Sequence, residues 1–165
     1  MSMTISQSML PEFDHEMANT RKTLERVPED RASYAPHEKS MTMGRLAAHI
    51  AQIPVWGTLG LTRDAFDLTP EFEAAEMTTN TKLLETFDAA WAEARAHLVA
   101  TDDATMMKMW TFKKSGHTVL SMPKVAVLRT FLMNHLIHHR GQLSVYLRLK
   151  DVPLPPMYGP TADEQ

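Results

Sequence analysis

Apolar residues recur at steps of three and four along four separate stretches of the chain, the spacing of one face of an α-helix. The first stretch covers about residues 4–27 and sets Met9, Phe13, Met17, Thr20 and Leu24 near one face, with Pro28 to stop it. The second, about 43–61, carries Leu46, Ile50, Ile53, Trp56 and Gly60, and Ser40 or Thr42 can cap its free N–H groups. Pro54 falls inside it and cannot donate to the Ile50 carbonyl, which predicts a kink or an early end. The third, about 80–100, carries Leu83, Leu84, Phe87, Trp91, Ala94 and Leu98. The fourth, about 123–150, opens at Pro123, a favourable first helical residue. Its stripe is Leu128, Leu132, Leu136, Leu143, Tyr146 and Leu147.

The connections are less regular. Residues 65–79 read as a short helix or loop. Residues 101–122 contain Trp110-Thr111-Phe112 and the turn signal Lys113-Lys114-Ser115-Gly116, and so form a small hairpin or an ordered loop. Pro153, Pro155, Pro156 and Pro160 keep the tail from being helical for long. No internal repeat or low-complexity tract is visible. Four long helices without a credible sheet predict an all-α four-helix bundle. The 165 residues fit one domain, 1–165.

Composition narrows the function classes. Apolar residues make up 44% and charged residues 22%, as in an ordinary globular protein. A net charge of -3 offers no basic footprint for nucleic acid or a membrane surface. No run approaches the roughly 18 apolar residues of a membrane span, and Met1 to Met9 does not resemble a secretory signal. A soluble, cytoplasmic protein is the expectation. Cysteine is absent, which excludes disulfides, cysteine ligands and cysteine nucleophiles, so any thiol chemistry needs a thiol from outside. The 13 methionines read as core filler.

Chemistry concentrates in the histidines. The fourth helix contains Asn134-His135-Leu136-Ile137-His138-His139-Arg140-Gly141-Gln142. At about 100° per residue, His135 and His139 fall on the apolar side and His138 on its edge. Leu128, Leu132, His135, His139, Gln142, Tyr146 and Leu149 alternate in steps of four and three, the seam of a bundle core. Histidines at i and i+4 have Cβ atoms about 5–6 Å apart, so their nitrogens can converge on one ion. Leu136 stands where the zinc-protease motif has glutamate, so this is not a protease helix. His49 lies on the apolar face of the second helix, beside Leu46, Ile53 and Trp56. Three inward imidazoles suit either hydrogen-bonded core residues or a metal site with an open fourth position. The other histidines are bland: His15 on a solvated helix face, His37 and His117 in loops, His97 near a helix end. Glu12-Phe13-Asp14-His15 matches half of a di-iron motif whose second copy is missing.

Asn134 through Leu143, then Tyr146-Leu147-Arg148, Val152-Pro153 and Tyr158-Gly159-Pro160, resemble the C-terminal signature of the DinB-like superfamily. Val27-Pro28-Glu29, Pro36 through Ser40 and Leu46 through Ala51 resemble its N-terminal half. The resemblance implies a four-helix bundle, a divalent metal ion (nickel or zinc most often) held by His49, His135 and His139, and a homodimer. Relatives with this fold include transferases and isomerases that use low-molecular-weight thiols. The expectation is therefore a metal-dependent enzyme, a thiol-dependent transferase or a hydrolase, acting as Lewis acid on a small-molecule substrate. The alternative is a non-catalytic metal-binding or stress-related bundle. Gln142, Asn134 and Tyr158 are candidates to support the ligands or touch substrate.

Overall fold

The computed structural model describes residues 3–69 and 76–164. Helix α1 (Ile5–Glu25) begins at a reciprocal cap: Thr4 accepts from the Gln7 N–H while the Gln7 side chain accepts from the Thr4 N–H. Helix α2 (Met43–Gln52) is capped by Thr42. As Pro54 demands, the chain breaks there and resumes as α3 (Val55–Thr62). Helix α4 (Asn80–Ala100) is capped by Thr79. A single turn, α5 (Asp103–Met106), leads into the sheet, and α6 (Lys124–Val127) leads out of it. Residues Leu128–Asn134 then form π-helical turns that pass without a break into α7 (His135–Arg148).

The expected all-α architecture is incomplete, because a three-stranded sheet sits at one end of the helices. Strand β1 (Ala65–Leu68) runs parallel to β2 (Met109–Lys114), which pairs antiparallel with β3 (His117–Pro123). Ser115 and Gly116, both at positive φ, make the two-residue turn between β2 and β3. Of the two readings of residues 101–122 the hairpin is the right one, and His117 opens a strand rather than lying in a loop. Residues 65–68 are strand, not helix or loop; 70–75 lie outside the described residues. Strand β1 escaped notice because four residues are too few for its alternation of exposed and half-buried positions to stand out, and β3, though seven residues long, is largely exposed without a regular alternation.

The four helical rods share one core. Helix α1 packs on α4 and α7, α2 on α4 and α7, and α3 on α4 and the π-helical segment. Phe13, Met17, Leu24, Leu46, Ile50, Ile53, Phe87, Leu98, Leu128, Leu132, Leu136, Leu143 and Leu147 are buried together. Glycines bring α3 close to the last rod. A Cβ on Gly57 would meet Leu132 at 3.1 Å, and one on Gly60 would meet Val127 at 3.0 Å. Of the predicted seam, Leu128, Leu132 and Tyr146 are buried and His135 and His139 half-buried, but Gln142 and Leu149 are exposed. No helix among the described residues is long and apolar enough to cross a membrane.

Candidate metal centre

Helices α2 and α7 pack against each other and bring their histidines together. His49 Nε2 lies 3.2 Å from His135 Nε2. The His49 ring stands at 89° to that of His139 with centroids 4.6 Å apart, and the His135 and His139 centroids are 4.7 Å apart. One ring nitrogen from each of the three falls within 4.8 Å of the others. An ion bound tetrahedrally at about 2.0–2.1 Å holds two imidazole nitrogens about 3.3 Å apart. The His49–His135 spacing already matches that figure.

The outward nitrogens of His135 and His139 are occupied. His135 Nδ1 lies 3.3 Å from the Phe131 carbonyl, and His139 Nδ1 lies 2.7 Å from Gln142 Oε1. Both oxygens only accept, so each Nδ1 carries its proton and each Nε2 presents a lone pair. This is the arrangement that fixes a ligating imidazole in its tautomer. Burial pushes the His49 imidazole down to about 4, helped by the neighbouring His139 and His135 charges and then Arg45. Burial likewise lowers His135, helped by His139 and opposed by the Phe131 carbonyl. His139 is lowered by burial against the opposing bond to Gln142. All three are neutral at pH 7, the form that ligates. The donor set fits a divalent ion.

The cluster is half-buried rather than enclosed, which leaves one side of it open. His138 is exposed, as rotation about the helix requires. Gln142 does support a histidine, whereas Asn134 is exposed. Tyr158 is engaged elsewhere: its hydroxyl bonds to both oxygens of Glu16, at 2.9 and 2.8 Å, and to Arg140. Glu12 of the half-motif pairs with Arg129 at 2.7 Å on the surface. His15 is exposed and its Nε2 lies 3.0 Å from Asn19 Nδ2.

The buried Arg140–Glu16 pair escaped the sequence reading, although the signal was present. Arg140 is four residues after Leu136 and three before Leu143, which places a guanidinium inside the apolar stripe. The π-helical turns had no such signal: Leu128–Asn134 reads as ordinary helix.

Comparison with known proteins bears on the family and the fold. The DinB family model matches residues 1–165. The uncharacterized protein YrdA of Bacillus subtilis strain 168 is 25% identical over 163 residues, covering 94% of this chain and 89% of that one. A DinB-like protein of Bacillus cereus ATCC 10987 superposes with a TM-score of 0.73 at 23% identity, over 96% of this chain and 100% of its own. The DinB-like protein YjoA of B. subtilis superposes with a TM-score of 0.68 at 21% identity, over 92% and 99%. At these identities the two structures speak to the fold alone. The match of the family model across residues 1–165 is what places the chain: it belongs to the DinB family.

Proposed function

We propose that this protein is a metal-dependent enzyme in which His49, His135 and His139 hold one divalent ion, nickel or zinc, and that it transfers a small thiol to an electrophile. The observation that carries the reading is the convergence of three neutral imidazole nitrogens within 4.8 Å at a half-buried position. Three protein ligands and an open side are the pattern of a catalytic rather than a structural site. When bound, the ion supplies Lewis acidity that favours the deprotonated form of a thiol or water at its open position. The residues do the rest. Phe131 and Gln142 hold His135 and His139 in the ligating tautomer and orientation. Leu46 and Ile50 flank His49 along the chain, Leu132 and Leu136 flank His135, and all four are buried, which keeps the core side of these helices dry. We assign the sulfur nucleophile to an added thiol because the chain has no cysteine. A homodimer, expected from the resemblance, belongs to the same proposal.

The cysteine-free sequence makes the test clean. In the cobalt or nickel form, a thiolate-to-metal charge-transfer band can come only from added thiol. The band should grow and saturate as 2-mercaptoethanol is titrated in, and vanish in His139→Ala. Holoprotein plus thiol should then consume small electrophiles faster than thiol alone. No band with any thiol removes thiol transfer and leaves water activation. A band without turnover for any electrophile leaves a thiol-binding metal protein that is not an enzyme.

A further inference from the structure

A second apolar cluster lies beside the histidines, apart from the main core. Trp56 of α3, Phe66 of β1, Phe112 of β2 and Phe131 of the π-helical segment are all half-buried. Trp56 meets Phe66 edge-on at 5.1 Å, Phe112 at 6.1 Å and Phe131 at 5.6 Å between centroids. Phe112 lies 5.7 Å from Phe131. Behind them the fully buried Trp110 stacks on Phe112 at 6.2 Å and lies 5.8 Å from Phe131. The contiguous core incorporates Trp56 at its margin but none of Phe66, Trp110, Phe112 and Phe131.

This wall is joined to the histidine centre through both of the histidine-bearing stretches of chain. Phe131 precedes His135 by four residues, and its carbonyl is the acceptor for His135 Nδ1. Trp56 follows His49 by seven residues along the α2–α3 rod. The offset of four residues sets Phe131 about one helical turn from His135, and Trp56 reaches the same place through its ring contact with Phe131. One feature of the wall runs against simple packing. Phe131 sits in π-helical turns, a rare geometry that recurs at functional sites. A scaffold needing only a filled core would use regular helix here.

We infer that the rings of Trp56, Phe112 and Phe131 form the binding surface for an aromatic or other flat apolar group of the substrate. That group lies about one helical turn from His135. The inference rests on the histidine cluster being the reacting centre. It narrows the substrate from any small thiol or electrophile to one that carries such a group. Aromatic faces and edges offer geometry that selects a flat partner over an equally apolar but puckered one.

Two measurements test it separately from the metal reading. In zinc-free protein labelled with 5-fluorotryptophan, 1-naphthylmethanol should shift the fluorine resonance of Trp56 saturably and leave that of Trp91, on α4, in place. Trp56→Leu or Phe131→Leu, which keep an apolar residue in position, should weaken this binding at least fivefold, with zinc stoichiometry unchanged. A saturable shift of Trp91 equal to that of Trp56, no saturable shift, or unchanged affinity in both variants would overturn the inference. In the cobalt form, 1-naphthalenemethanethiol should bind at least tenfold more tightly than cyclohexanemethanethiol, and the preference should collapse in Trp56→Leu. Equal binding of the two thiols would overturn it as well. If cobalt and zinc fail to bind at all, the metal reading fails, while the first titration still decides whether the wall binds aromatic groups.

Discussion

The guanidinium of Arg140 meets the carboxylate of Glu16 at 2.6 Å, with side chains only 2% and 6% exposed. Arg140 also donates to the Glu16 carbonyl at 3.0 Å and to Thr20 Oγ1 at 3.1 Å. The Tyr158 ring is exposed, but its hydroxyl is turned in onto the pair, which ties the C-terminal tail to α1 and α7. Removing one partner of such a pair strands the other charge in the core and destabilises by about 3–5 kcal/mol. Glu16→Ala should therefore lower stability by that amount in urea unfolding. The double variant Glu16→Leu/Arg140→Leu should recover most of it, since apolar residues of similar volume can replace a buried pair. Tyr158→Phe should lose about 1 kcal/mol, one hydrogen bond's worth. A Glu16→Ala variant as stable as the parent would mean the pair is not formed.

Ligand identity follows from which nitrogens converge. His49→Ala, His135→Ala and His139→Ala should each abolish stoichiometric zinc binding, whereas His138→Ala should retain it, because His138 is exposed. Gln142→Ala should leave one zinc per chain but weaken it about tenfold, the low end for losing an orienting partner, since Gln142 is itself exposed. Calorimetric titration of zinc checks all five. Equal losses in His138→Ala and His139→Ala would contradict the helical rotation.

Much of this site is legible in the chain because α-helical geometry is local. The i, i+4 relation of His135 and His139 and the outward turn of His138 follow from 3.6 residues per turn alone. The position of His49 on an apolar face placed it inward but could not place it 3.2 Å from His135, since that distance belongs to the packing of α2 on α7. Pro54 announced the break between α2 and α3 through its missing N–H. The sheet was less readable: β1 pairs with β2 across more than forty residues, so its partner is set by the fold rather than by its own four residues. The same holds for Tyr158, whose acceptor Glu16 is 142 positions away.

The histidine cluster should also set part of the acid response of the metal-free protein. The folded-state values of His49, His135 and His139 lie below the ordinary imidazole value, mainly through burial. Above about pH 6.5 both folded and unfolded chains hold them neutral. As pH falls below that, the unfolded chain takes up these protons first, so stability drops across the window down to about 4 for His49. Carboxylates titrate near the lower end of this window, so the comparison needs a control. Chemical unfolding between about pH 7 and about pH 4.5 should show a smaller loss for His49→Gln than for the parent. Parallel pH profiles for the two would contradict the lowered His49 value.

Metal removal should soften the protein without unfolding it. The proposed ligands come from two helices that already pack on each other, and the main core, from Phe13 to Leu147, does not include the histidines. Binding to the folded state alone stabilises by mass action, about 4 kcal/mol at a thousandfold excess over Kd. The thermal midpoint should therefore rise with zinc concentration, and His139→Ala should abolish the rise. After chelation the far-ultraviolet circular dichroism at 25 °C should keep its helical form. Protons compete for the same nitrogens, so the zinc-induced rise should shrink as pH is lowered from about 7.5 toward about 5. A chelated chain without helical signal would make the ion a structural element rather than an exchangeable one. A rise independent of pH would move the binding to carboxylate or backbone oxygens and away from the three histidines.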